Sequence, residues 1–68
     1  MIMFTIRTHC DGEILAEHTF DPSVERWGTL EEFNQALKFT ESHYPDTSGI
    51  TVDVFDESGT VTLSHTFA

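Results

Sequence analysis

The sequence predicts an α+β fold in which a β-hairpin, one helix and a second β-hairpin (ββαββ) follow one another in a single domain, residues 1–68. Two segments of apolar–polar alternation flank one segment of helical periodicity, and a glycine-containing turn interrupts each alternating segment. Hairpins with one apolar face need a covering layer, which the single helix supplies on one face of a four-stranded antiparallel sheet. A chain of 68 residues is too short to bury a second core.

The first hairpin is predicted from the alternation of Phe4 and Ile6 with polar residues, followed by the turn 10–12. A three-residue loop with glycine in the left-handed conformation pairs Phe4 with His18 and keeps Ile14 on the inner face. A two-residue Asp-Gly turn slips the register by one residue and turns the apolar face towards water. We therefore expect the three-residue loop.

One helix is predicted between the hairpins. Thr29 and Glu32 fit a capping box, and Pro45 ends the helical pattern. The residues at helical spacing form one apolar stripe, namely Leu30, Phe33, Leu37, Thr40 and Tyr44, with Ala36 at its margin. Trp27, just before the helix, is expected to pack over an edge of the core.

The second hairpin is predicted from a second alternating segment and the turn "DESGT". Its inner-face positions are Ile50, Val52 and Val54 in one strand and Val61, Leu63, His65 and Phe67 in the next. Val54 is expected opposite Leu63, and Val52 opposite His65. The favoured strand order is 1-2-4-3, in which a right-handed crossover places the helix on the inner face. The alternative is 2-1-3-4, which separates the two outer strands by about 14 Å.

The two hairpins share a short repeat, "AEHTF" and "LSHTF", which sets His18 and His65 at equivalent positions. These histidines are neighbours only in the order 1-2-4-3, where they would form a pair able to bind a ligand or a proton. We prefer the interpretation that each fills the polar end of the core with its ring half buried, because buried polar groups usually find backbone or water partners.

Neither a metal site nor a catalytic site is predicted, and no cofactor is expected. His9 and Cys10 are adjacent in a strand and therefore point to opposite faces, as do Ser64 and His65. The carboxylates of Glu13 and Glu17 share an open sheet face, where nothing separates their acidities for acid–base chemistry. The residue pattern favours a protein that is not an enzyme.

Charge is the dominant feature of the composition: twelve acidic residues oppose Arg7, Arg26 and Lys38, for a formal net charge of −9. Such a chain repels nucleic acid and anionic membranes, and is attracted to basic protein surfaces. The single cysteine, Cys10, and the absence of a leader-like start predict a cytoplasmic protein.

The expected function is therefore that of a small acidic binding protein that docks on a basic surface of a larger protein. Its acids are spread widely enough to imitate the phosphates of a duplex and so to block a nucleic-acid-handling enzyme. The predicted contacts are six acids and two aromatic anchors: Glu13, Glu17, Glu31, Glu32, Asp53, Asp56, Phe39 and Phe55. The alternative is a structural subunit that forms a homodimer through its sheet edges or its threonine-rich face.

In its acidity and its hairpin–helix–hairpin outline, with a capped helix that begins "TLEEF", the chain resembles small phage-encoded inhibitors of host enzymes. The resemblance implies an inhibitor or DNA mimic from a phage or another mobile element. It carries no individual site residue across.

Overall fold

The computed structural model describes residues 2–23 and 28–68, and the predicted packing of Trp27 lies outside them. Within these residues the α+β fold is confirmed, with one helix and four strands in a single antiparallel sheet. The elements are β1 (Phe4–Cys10), β2 (Glu13–Phe20), α1 (Gly28–His43), β3 (Thr51–Phe55) and β4 (Val61–Thr66).

The order of the strands across the sheet is β2-β1-β3-β4, so the predicted order 1-2-4-3 is wrong and the alternative order is observed. Val52 and Val54 of β3 are fully buried. Ile6 and Thr8 of β1 are only 4% and 5% exposed. A central strand is covered by neighbours on both sides and by the helix, so placing these two strands there removes the most apolar surface from water.

The observed order places the two repeated segments on opposite edges of the sheet, so His18 and His65 are not neighbours. Both histidines are exposed, and neither occupies the predicted half-buried position. His65 instead contacts the edge of the Phe67 ring, with 4.7 Å between the ring centroids.

In the first hairpin, both the predicted three-residue loop and the predicted pairing of Phe4 with His18 are wrong. The turn has two residues, Asp11 and Gly12, whose φ angles of 52° and 80° give the left-handed conformations of a type I′ turn. A bulge then inserts Leu15 into β2, and beyond it Phe4 lies opposite Phe20. The extra residue restores the inner face that the short turn alone would have lost.

The second hairpin has the predicted register, with Val54 opposite Leu63 and Val52 opposite His65. Near its turn, a bulge between Val54 and Phe55 leaves Val61 opposite Phe55. The two bulges explain two wrong assignments to the core, because Ile14 and Val61 are 55% and 49% exposed.

The helix begins at Gly28, one residue ahead of the predicted cap Thr29. Two of its side chains are buried, Phe33 and Thr40, and the Thr40 hydroxyl donates a 2.8 Å hydrogen bond to the Ala36 carbonyl. Leu30, predicted in the apolar stripe, is 60% exposed. The helix packs mainly over β3 and β1, the two central strands, and the inner-face residues Ala16 and His18 of the edge strand β2 remain partly or fully exposed.

Candidate functional site

A groove of about 680 Å³ runs between α1 and β2 on the inner side of the sheet. The helix packs mainly over β1 and β3 rather than over β2. Ala16 of β2 and Ala36 of the helix both line the groove, and their small side chains leave space between the two elements. The lining side chains are Ile6, Thr8, Ala16, Glu17, His18, Glu32, Gln35, Ala36, Lys38, Phe39 and Ser42. Three of the eight predicted contact residues, Glu17, Glu32 and Phe39, therefore line one surface.

Phe39 is the one described aromatic side chain other than histidine that lines this groove, and half of its area is exposed. Its ring stacks on the His43 ring one helical turn later, with centroids 3.9 Å apart and planes 18° from parallel. The His43 Nδ1 also lies 3.2 Å from the Phe39 carbonyl oxygen. The stack restricts the rotamers of both rings, so the exposed aromatic surface is held in one orientation.

Among the residues that the structure describes, two acids border the groove: Glu32 on the helix and Glu17 on β2, whose side chain points to the outer face of the sheet. Glu17 accepts a 2.7 Å hydrogen bond from Arg7 Nε, and its side chain remains 43% exposed. An ion pair so open to water contributes at most about 1 kcal/mol, so Glu17 retains the capacity to exchange Arg7 for another cation.

Asp53 lies on the outer face of the sheet, the face that also carries the side chains of Arg7 and Glu17, and it connects three strands. Its Oδ2 accepts a 2.7 Å hydrogen bond from His9 Nε2 of β1, and its Oδ1 accepts one of 2.5 Å from Ser64 of β4. Burial alone would raise the pKa of Asp53, but the hydrogen bonds from Ser64 and His9, with the charges of His9 and Arg7, outweigh it and lower that pKa. With only 15% of its side chain exposed, Asp53 fastens the sheet and offers little surface to a partner.

Phe55 and Asp56 lie in a second, smaller depression of about 360 Å³ on the outer face. The Arg7 guanidinium covers the Phe55 ring at 4.9 Å from its centroid, and Phe55 is half-buried. Asp56 Oδ1 accepts hydrogen bonds from the backbone N–H groups of Ser58 and Thr60, both at 2.9 Å, which organise the β3–β4 turn. Hydrogen bonds from Ser58 and Thr60 lower the pKa of Asp56 and keep it charged.

The last two predicted contacts, Glu13 and Glu31, are exposed. Glu13 begins β2 beside Cys10, and Glu31 lies in the first turn of the helix. Desolvation raises the pKa of the Cys10 thiol, and the nearby carboxylates of Asp11, Glu13 and Asp46 raise it further. This end of the sheet is therefore anionic, and Cys10 has none of the activation that a nucleophilic thiol requires.

Among the described residues, no group of three or more His, Cys, Asp or Glu side chains is arranged to hold a metal ion. Ser64 donates its hydroxyl proton to Asp53 instead of to a histidine, which leaves it without the base that activates a nucleophilic serine.

Sequence reasoning missed the groove-lining residues His18, Gln35 and Lys38. The feature of the sequence that could have indicated the groove is the small size of Ala16 and Ala36, since small side chains leave space between packed elements. This feature could be interpreted only with the strand order, which decides which strand lies beside each flank of the helix.

No protein-family model, curated protein or solved structure matches this chain. None of the described helices has the length and apolarity needed to cross a membrane. The functional argument below therefore depends on the geometry and charge of the surface alone.

Proposed function

We propose that this protein is a small acidic binding protein that docks on a basic surface of a larger protein through the groove between α1 and β2. The observation that supports this most directly is the convergence of Glu17, Glu32 and Phe39 on that groove. An exposed aromatic anchor bordered by carboxylates combines desolvation at its centre with charge complementarity at its rim, the arrangement typical of protein interfaces.

The charge of the whole surface supports the same proposal. The described acids are Asp11, Glu13, Glu17, Asp21, Glu31, Glu32, Glu41, Asp46, Asp53, Asp56 and Glu57. Of the described residues, only Arg7 and Lys38 are Lys or Arg, and Arg7 is paired with Glu17. A net charge of −9 on so small a body accelerates its encounter with a cationic partner and opposes direct binding to nucleic acid or an anionic membrane.

The sharper form of the proposal names the partner class as a nucleic-acid-binding enzyme, with this protein as a cytoplasmic, non-enzymatic inhibitor or DNA mimic encoded by a phage or another mobile element. The basic groove of such an enzyme binds phosphates by releasing counterions, and a carboxylate array competes for the same cations. Acids at both hairpins and along the helix give the array its spread.

A second candidate function is self-association as a homodimer through β4. This edge strand, Val61–Thr66, carries no Asp, Glu, Lys or Arg, and Val61 is 49% exposed. Natural edge strands usually carry charges or proline that prevent pairing with another chain.

The test of the main proposal is capture of partners from a host lysate by the tagged protein, with identification by mass spectrometry. The captures are washed at low and at high salt, about 0.05 M and 0.5 M. The proposal expects a nucleic-acid enzyme that is retained at low salt and released at high salt. The Phe39→Ala and Glu17→Gln variants are expected to lose it, and Glu41→Gln is the matched control because Glu41 is exposed and outside the groove lining.

Recovery of the protein alone, at twice its monomer mass and independent of salt, would contradict the docking proposal and support the homodimer. Equal loss of the partner in Glu17→Gln and Glu41→Gln would show that overall charge is recognised and that the groove is not.

A further inference from the structure

We infer that β2 is the docking edge of this protein, and that an extended segment of the partner adds to it as a fifth strand of alternating basic and apolar residues. This inference depends on the proposed function and specifies its binding mode. β2 lies at the end of the strand order, with β1 on one side and no described strand on the other. Along such an edge, alternate residues direct backbone N–H and C=O groups away from the sheet, where another strand can pair with them.

The groove provides the apolar half of the recognition. The helix packs mainly over β1 and β3, and the inner face of the sheet is open beside Ala16 and His18 of β2. A strand added beside β2 would project every second side chain into this space, against Ala16 and His18 on one side and Phe39 on the other. The exposed half of the Phe39 ring is then the surface that an apolar side chain covers.

The bulge at Leu15 sets the length of the paired segment. It disrupts the regular edge between Ile14 and Ala16, so continuous pairing is available from Ala16 to Phe20. Five residues of strand span about 17 Å, which is enough for a short strand of the usual length. The part of β2 that lines the groove, Ala16, Glu17 and His18, lies within this regular segment.

Electrostatic complementarity provides the polar half of the recognition. The β2 strand carries Glu13 and Glu17 and no Lys or Arg. A Lys or Arg on the outer face of an added strand would lie across from Glu17, within reach of its 43% exposed carboxylate. A second copy of this chain would instead bring two glutamate-bearing edges and two net charges of −9 together, so the charge favours a basic partner over self-pairing at β2.

The test uses two synthetic fluorescent peptides of about nine residues with the same composition, one alternating lysine and valine and the other with its lysines and valines in separate blocks. Affinity is measured by fluorescence anisotropy with the full-length protein. Amide hydrogen exchange, read residue by residue, locates the bound peptide. The inference expects the alternating peptide to bind at least about tenfold more tightly, and to slow exchange at Ala16–Phe20 while β4 is unchanged.

Variants of the protein add a second measurement, which does not depend on comparing the two arrangements of residues in the peptide. Phe39→Ala and Glu17→Gln should each weaken the alternating peptide about three- to tenfold, whereas Glu41→Gln should change its affinity less than about twofold. All three positions are exposed, so each variant is expected to fold, and exchange in the absence of peptide verifies this.

Equal binding of the two peptides would overturn strand addition and leave the charge-driven docking proposal intact. Protection of β4 instead of β2, or no binding of either peptide, would also overturn the inference. Capture of no basic partner from the lysate, by contrast, would overturn the proposed function itself.

Discussion

Asp53 is one of the predicted partner contacts, and its carboxylate accepts hydrogen bonds within the sheet. One carboxylate oxygen accepts from His9 on the adjacent strand β1, and the other accepts from Ser64 on β4. Its side chain is 15% exposed, whereas that of Glu17 on the same sheet face is 43% exposed. At this scale, the predicted contacts separate into residues that fasten the sheet and residues that remain accessible.

Asp53→Asn is expected to lower the free energy of unfolding by about 1–2 kcal/mol near pH 6, because it removes the charge from two hydrogen bonds. The pKa of Asp53 is lowered in the folded protein. Its carboxylate therefore stabilises the fold above the usual aspartate pKa of about 3.9, and this contribution is lost as the pH falls through the lower folded-state pKa. Urea denaturation of both proteins across this pH range measures the effect.

The difference between wild type and Asp53→Asn should consequently shrink below about pH 4. Glu41→Gln serves as the control, since Glu41 is exposed on the helix. A difference that stays constant down to about pH 2 would show that Asp53 contributes packing and not charge.

At the scale of elements, the β1–β2 hairpin combines a tight turn with a compensating bulge. The Asp11–Gly12 turn favours formation of the hairpin, because Gly12 adopts its φ of 80° without strain. The Leu15 bulge then reverses the sheet faces to which the following side chains of β2 point, so that Phe20 lies in the core with 2% of its surface exposed. The turn is specified locally, whereas the bulge is explained by the burial it permits in the tertiary structure.

Deletion of Leu15 is expected to be tolerated, with a loss of less than about 1.5 kcal/mol. The pairs on either side of the bulge, His9 with Ile14 and Thr8 with Ala16, then become consecutive rungs of a regular ladder. Deletion of Thr19 moves Phe20 to the outer face and should cost more than about 3 kcal/mol, or prevent folding. Thermal unfolding followed by circular dichroism compares the two deletions, and equal losses would contradict the bulge explanation.

For the whole molecule, the sheet order and the acidic composition together define two unlike edges. The β2 edge carries glutamates and borders the open groove, while β4 is uncharged apart from the titratable His65. The acidic residues behind the net charge of −9 are distributed over the hairpins and the helix, so no single surface accounts for the electrostatic attraction expected towards a basic partner. In the docking proposal, the groove supplies a position and an orientation that net charge alone does not give.

Partner binding is expected to weaken at about pH 5.5 relative to pH 7.5, because histidines ordinarily gain a proton in this range. Full protonation of the four histidines changes the formal charge from −9 to −5. A less negative protein attracts a cationic partner more weakly. A pulled-down partner, titrated at both pH values at constant ionic strength, provides the measurement. Equal binding at both pH values would argue against a charge-based interface.

The sequence by itself determined the elements and much of their local pairing. Alternation with period two located all four strands, helical spacing located α1, and the register of Val52 and Val54 in the second hairpin is confirmed. These features depend on residues close together in the chain and on which face is apolar. The same information also identified Glu17, Glu32 and Phe39 as contact candidates, a hypothesis that remains to be tested.

The tertiary structure alone decided the strand order, the two bulges and the groove. Both strand orders satisfy the alternation of every strand, and they differ only in which strands gain neighbours on both sides. Burial of Val52 and Val54 at the centre favours the observed order, and that order places β2 at an edge, where Ala16 and His18 line the open groove. The candidate site depends on this strand order, which is set by burial of apolar surface in the whole molecule and which no local segment of the sequence specifies.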